Sequence, residues 1–384
     1  MDEAFAFATA LSWTPTTPGP SALQIDIVDG HERDVEELRA DPQNAVVVDA
    51  EIKLCLVDPR NCGPVDPATL KKTDGLAMPD GLVAVGAHTS SCTGQGVTVA
   101  VLDSGIDDSH PAFAGRTISK RNFTAQGDWQ DVRDTLGHGT HCAGTICGNA
   151  VDGVRVGVAP GVTKLCVGKV LGPGGGTLEA LLGAMHWAVF QEKASVVSLS
   201  LGYDLPGNTQ RLIEKGLNPA QATQIALRQQ SGLTKSISTL RAFLESQSPN
   251  VVFLAATGNE SQRPQFVLDA GSPAAELLAV GAVGLAGAEW EVASFSNGSA
   301  QVVAPGVDVV SAALGGGWAK QSGTSMATPH VAGIAALWTE KLRNEGYLSI
   351  PESVRSALKA NATRMPILTK DASAVGAGLV QAPQ

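Results

Sequence analysis

The chain carries no surplus of positive charge. Its 27 lysines and arginines are outnumbered by 37 aspartates and glutamates, for a formal charge of -10 over 384 residues. That balance argues against a nucleic-acid footprint and against docking on anionic lipid. No apolar run approaches the roughly 20 residues of a membrane-spanning helix, so no membrane partner is expected. The N-terminal Met-Asp-Glu-Ala-Phe-Ala-Phe is acidic where a secretory signal is basic, and Pro15 and Pro18 follow closely. No signal peptide is read, and a cytoplasmic or non-classically exported protein is expected. The six cysteines, Cys55, Cys62, Cys92, Cys142, Cys147 and Cys166, form no Cys-x-x-Cys pair. A chain this long needs no disulfide framework, so buried free thiols are expected. What is abundant is glycine, 43 residues beside an ordinary 43% apolar content, which points to tight turns and close backbone approaches.

Residues 24–30 alternate as a strand does, residues 31–40 read as a short helix ending before Asp41-Pro42, and a second strand follows over 45–57. These outline a small N-terminal α+β unit over 1–70, followed by a linker over 71–93. From Gly96 the texture changes. Residues 97–102, 196–201 and 251–256 are continuous apolar runs, as in strands buried on both faces of a parallel sheet. Helical stretches at 177–193 and 232–247 alternate with them, which predicts an α/β fold over 94–384: a doubly wound, mostly parallel sheet with helices on both faces. A polar stretch at 203–230, helical after Asn218-Pro219, reads as an insertion at the surface.

Three motifs carry chemistry. Asp103 ends the first apolar run, at a strand end where an acid can orient an imidazole, although such an aspartate is also a common turn cap. His138 lies in Gly-His-Gly-Thr-His-Cys-Ala-Gly-Thr. His138 and His141 lack the Glu and third ligand of a zinc helix, so no metal site is assigned and His141 reads as a packed histidine. Ser325 stands in Ser-Gly-Thr-Ser-Met-Ala-Thr-Pro-His-Val-Ala-Gly, ahead of an apolar helix. A serine there can be a simple cap, or a nucleophile whose helix N-terminus faces an oxyanion. Pro329 is expected in the first helical turn, where its missing N–H costs little. Gly172-Pro-Gly-Gly-Gly lacks the Lys-Ser/Thr of a phosphate loop, so no nucleotide is expected.

The three motifs, in the order Asp103, His138, Ser325, resemble the subtilisin family of serine proteases. The resemblance runs from about Gly94 to Val380 and takes in Val-Ala-Pro at 158–160, Ser-Leu-Ser-Leu-Gly at 198–202, Ala-Pro-Gly at 304–306 and Gly-Ala-Gly-Leu-Val at 376–380. It implies a serine endopeptidase with catalytic Asp103, His138 and Ser325 and an oxyanion donor in Asn259. It implies a peptide substrate bound as an added strand between Gly175-Gly176 and Ser200-Leu201-Gly202, with Gly271 near the specificity pocket. An apolar substrate side chain is the first expectation there, with Asp269 as a reason for a basic one.

No cofactor is required by this resemblance. Calcium is common in the family, but Ala112 and Val151 stand at its high-affinity positions without ligand oxygens, while Asp152 and Asn149 leave another calcium site open. Residues 24–57 resemble the family's inhibitory propeptides, so the protein's own N-terminal domain is an expected partner, in a zymogen cut somewhere over 58–92. Cys142 stands where some members carry a cysteine beneath the histidine, which implies inhibition by mercurials. A monomer is expected, and the 203–230 insertion beside the cleft suggests a dedicated processing enzyme.

Overall fold

The apolar runs become the buried strands of one sheet in the computed structural model, which describes residues 5–14, 22–31, 44–48, 52–56, 60–124, 128–248, 250–347, 350–363, 367–368 and 371–384. At the N-terminus, β1 (Phe5–Thr14), β2 (Ala22–His31) and β3 (Asn44–Val48) form an antiparallel sheet with β1 in the middle. The strand expected over 24–30 is therefore present within β2. The helix expected over 31–40 falls outside the described residues, apart from His31, which ends β2.

The strand expected over 45–57 divides into β3 and β4 (Lys53–Leu56), and only β3 belongs to the N-terminal sheet. Then come β5 (Arg60–Pro64), β6 (Lys71–Thr73), β7 (Leu76–Met78) and α1 (Asp80–Ala84). The stretch expected as a linker is ordered because Met78, Leu82, Val85 and Ala87 are buried in the main core.

The main domain runs through β8 (Thr98–Asp103), β9 (Thr117–Asn122), α2 (His138–Cys147), β10 (Lys164–Lys169), β11 (Gly176–Thr177) and α3 (Leu178–Phe190). It continues with β12 (Val196–Leu199), β13 (Leu201–Gly202), α4 (Leu205–Glu214), α5 (Pro219–Gln247) and β14 (Val252–Ala256). Next are β15 (Leu278–Ala286), β16 (Glu289–Val292), β17 (Val302–Pro305), β18 (Val309–Ala312) and β19 (Trp318–Ser322). The chain closes with α6 (Thr324–Asn344), α7 (Ile350–Ala360) and β20 (Ile367–Leu368).

The central sheet has the order β20-β16-β15-β14-β12-β8-β10-β9, with β17 also on β15. Its pairs are parallel except β15 with β16. Along β8 the side chains alternate between two cores. Val99 and Val101 join the face covered by α2 and α6, whereas Ala100 and Leu102 join the face covered by α3 and α5. Burial on both faces is why the run reads as unbroken hydrophobicity. The doubly wound α/β fold is thus present.

The polar 203–230 stretch becomes α4 and the first half of α5. Asn218 caps α5 by accepting from Gln221 N at 3.0 Å, with Pro219 in the first turn. Among the described residues, no helix is long and apolar enough to cross a membrane.

Candidate active site

Asp103 is the last residue of β8 and fully buried. Its Oδ1 accepts from Ser104 N at 2.7 Å and from His138 Nδ1 at 2.7 Å. His138 opens α2 after Gly137, whose φ of 79° turns the chain into the helix. A Cβ on Gly139 would lie 2.2 Å from the Gly105 carbonyl, so the β8 loop and α2 meet this closely because Gly139 has no side chain.

Asp134, which sequence reasoning missed, clamps this junction. Its carboxylate accepts from Ser104 Oγ, from the backbone N–H of Leu136, Gly137 and Thr140, and from Thr140 Oγ1, at 2.7–3.0 Å. The available signal was an acid just ahead of the His138 motif, in a loop entering a helix.

Burial pushes the His138 pKa down, but the Asp103 carboxylate outweighs it and holds the imidazole well above its ordinary value. His138 Nε2 is buried and, among the described residues, has no hydrogen-bond partner. His141 Nε2 lies 3.0 Å from Val309 O and 3.2 Å from Ala319 O. Both partners are acceptors, so this nitrogen carries the proton. Burial, reinforced by the charge of His138, pushes the His141 pKa down to about 3. It is a packed histidine, as the sequence suggested. Cys142 is buried, with Sγ 3.9 Å from His138 Nδ1 and 3.5 Å from Ser325 O, and burial pushes its thiol pKa up.

Ser325 is fully buried in the first turn of α6. Beside it, Thr324 N and Oγ1 both donate to Asn259 Oδ1, at 2.9 and 3.0 Å. That fixes the amide with Nδ2 as its donor end; a Cβ on Gly323 would come within 3.0 Å of this nitrogen. Thr324 was another residue that sequence reasoning missed. Pro329 is a correction: it lies inside α6, not in the first turn. Having no N–H, it leaves the Ser325 carbonyl without its intrahelical donor, and Ser200 Oγ donates to that carbonyl at 3.0 Å.

The expected strand positions flank a strand of the chain itself. β4 lies antiparallel between β11 and β13, with Gly176 opposite Leu54 and Leu201 and Gly202 opposite Leu56 and Cys55. Gly175 approaches so closely that a Cβ there would lie 2.5 Å from Leu54 O. β5 pairs with β19, placing Arg60 opposite Ser322. Arg60 Nη2 donates to Asn259 O at 2.9 Å, and its guanidinium lies 5.5 Å from the centre of the Phe295 ring. Residues 57–59, between these two strands, are outside the described residues. Gly271 lines a pocket with Gly202 and Gly258.

The calcium positions do not fit the ion. Ala112 and Val151 offer hydrocarbon, and the Gly153 carbonyl accepts from Ala77 N at 2.8 Å. Asn149 Oδ1 accepts from the Arg116 guanidinium, which also donates to the carbonyls of Cys147, Pro160 and Val162. A fixed cation thus stands where the alternative site through Asn149 would need one.

An oriented imidazole and a serine, both within 4 Å of Cys142 Sγ, with a fixed amide donor next to the serine, suit the two demands of acyl transfer: an activated hydroxyl and a held oxyanion. The class so outlined is that of serine hydrolases. Residues 94–378 match the subtilase family. The chain is 34% identical to the intracellular serine protease of Paenibacillus polymyxa over 277 residues, 69% of this chain and 74% of that protein. It is 34% identical to the major intracellular serine protease of Bacillus subtilis (strain 168) over 271 residues, 68% of this chain and 74% of that one. The thermophilic serine proteinase of Bacillus sp. (strain AK1) is 34% identical over 256 residues, 65% of this chain and 54% of that protein. The chain therefore belongs to the subtilase family and is a subtilisin-like serine endopeptidase.

Proposed function

We propose that this endopeptidase is made as a zymogen that covers its own cleft and cuts itself within residues 58–92. In the reaction, Ser325 Oγ attacks the peptide carbonyl as His138 Nε2 takes its proton. Asp103 holds the imidazole tautomer and stabilises the imidazolium. Asn259 Nδ2 and the Ser325 N–H hold the oxyanion. His138 returns the proton to the leaving amine, and water then releases the acyl group from Ser325. In subtilisin, loss of the corresponding side-chain donor costs about 10²–10³ in kcat.

One observation carries the zymogen reading: β4 fills the strand position between β11 and β13, while β5 continues along β19 just ahead of Ser325. A chain laid in this way occupies both sides of the cleft as a substrate would. β1–β3 act as the inhibitory domain, since β2 lies against α3 and β3 against α5. Substrates are extended peptides or locally unfolded proteins, taken by the monomer. The α4–α5 insertion beside β13 supports a narrow processing role over general degradation. The names of the two intracellular relatives support an intracellular site of action.

Intact-mass spectrometry of wild type and Ser325→Ala tests this reading. Wild type loses an N-terminal piece ending within 58–92 and the variant stays whole. Wild type that turns over peptides while remaining uncut would contradict it.

A further inference from the structure

A pocket of about 310 Å³ opens between the Gly202 end of β13 and Gly258, next to Asn259. In a subtilisin-like cleft it lies where the substrate residue before the scissile bond projects. Its composition differs from the neutral pocket that Gly271 first suggests.

Three carboxylates line it: Asp204, Glu260 and Asp269. Among the described residues, no lysine, arginine or histidine does. Asp204 Oδ1 accepts from Gly207 N, Glu260 Oε2 from Asn297 Nδ2 and Asp269 Oδ1 from Ser299 Oγ. These are neutral donors, and among the described residues none of the three acids enters an ion pair. Arg60 and Arg211, the nearby cations, lie outside the lining and donate to Asn259 O and Asn208 Oδ1.

Two hydroxyls point to a ligand independently of the acids. Thr257 and Ser272 line the same pocket and are each 2% exposed, and among the described residues neither Thr257 Oγ1 nor Ser272 Oγ has a hydrogen-bond partner. A buried hydroxyl left unpaired costs about 1–3 kcal/mol, so such oxygens are expected where a ligand completes them. Apolar contacts come from Leu205, Leu268 and Ala270. Apolar walls, acceptor oxygens and uncompensated negative charge suit one kind of side chain, an aliphatic stem with a cationic head.

We propose that this pocket selects lysine or arginine immediately before the scissile bond, with Glu260 and Asp269 as its specificity-determining carboxylates. The inference rests on the serine-protease reading of the adjoining site. Part of the wall belongs to the insertion: Leu205 and Pro206 come from α4 and Gln230 from α5. Tyr203 ties that wall to β13, since its hydroxyl donates to Ala226 O at 3.0 Å and accepts from Asn208 Nδ2. The insertion therefore shapes which side chain enters.

The first test is p-aminobenzamidine fluorescence with protein incubated until its mass stops changing, so that self-processing has uncovered the cleft. The amidine binds, its neutral analogue benzamide does not, and Asp269→Asn or Glu260→Gln each weakens binding about 10-fold. No amidine binding, or equal binding of benzamide, overturns the proposal. The second test uses self-processed wild type on peptidyl-coumarin substrates that differ only in the residue before the bond. Lysine and arginine exceed leucine at least about 10-fold in kcat/KM, and that ratio falls in both carboxylate variants. Leucine or phenylalanine cleaved best, with Ser325 still labelled by a fluorophosphonate, overturns the pocket assignment alone. Absence of labelling overturns the protease reading, and amidine binding still decides the pocket.

Discussion

Ser200 Oγ donates to the Ser325 carbonyl at 3.0 Å, a bond open to it because Pro329 supplies no N–H to that oxygen. A proline inside a buried helix is normally a defect. Here it joins the β12–β13 junction to the turn that presents Ser325. Ser200→Ala removes this donor, while the Cys142 thiol stays 3.5 Å from the carbonyl. The variant is expected to lose about 1–3 kcal/mol of stability and to react more slowly with a fluorophosphonate. Urea unfolding and labelling rates check this; two unchanged values contradict the role.

The pH profile follows from the Asp103–His138 pair. His138 works as a base only when neutral, and the carboxylate holds its pKa well above the ordinary value. The acid limb of kcat/KM therefore lies above about pH 6.5. Asp103→Asn removes the term that outweighs burial, so the limb moves down while kcat falls by about 10⁴, the loss known for the equivalent change in a chymotrypsin-type triad. The same raised pKa contributes stability that is fully present below about pH 6.5 and is lost as pH rises through the folded value.

His141 and His330 have the opposite sign. Burial pushes their pKa values down to about 3 and about 4, so the unfolded chain binds protons that the folded chain excludes. Their contribution is present above about pH 6.5 and is lost as pH falls toward those folded values, with a slope of about 1.4 kcal/mol per pH unit for each histidine. Urea midpoints measured from pH 7 to 4 should fall steeply, and His330→Asn should flatten the fall. A flat wild-type profile contradicts this.

Arg116 is expected to do locally what a bound cation does elsewhere. Arg116→Met leaves three carbonyls and Asn149 Oδ1 without their donor and should lower Tm markedly, by about 3 kcal/mol or more in stability. A chelator should leave the wild-type Tm nearly unchanged. A large chelator effect would overturn the view that this loop does without calcium.

Much of this was legible in the sequence where the signal is local. Residues 97–102 announce β8 because both its faces are buried, and the Gly-His-Gly and Ser-Gly-Thr-Ser motifs mark sharp entries into helices. β1 was missed, although Phe5, Phe7, Leu11 and Trp13 alternate with smaller residues as a strand does. Residues 60–64, and the break that separates β4 from β3 within the strand expected over 45–57, were opaque. Cys62, Gly63 and Pro64 look like a boundary, and the partners that make strands of β4 and β5 lie far downstream in β11, β13 and β19. Asp134 and Thr324 escaped for a related reason, since their importance lies in hydrogen bonds that form only after folding. The first half of α5 shows little periodicity because much of it faces solvent.

The most direct test of the account is where a fluorophosphonate attaches. The protein is first incubated until its mass stops changing, then labelled, digested and mapped by peptide mass spectrometry, beside His138→Ala and Ser325→Ala. The prediction is one adduct, on Ser325, absent in Ser325→Ala and slowed at least about 10³-fold in His138→Ala. An adduct on another residue, or equal labelling of wild type and His138→Ala, would contradict the assignment of Ser325 as a nucleophile activated by His138 and Asp103.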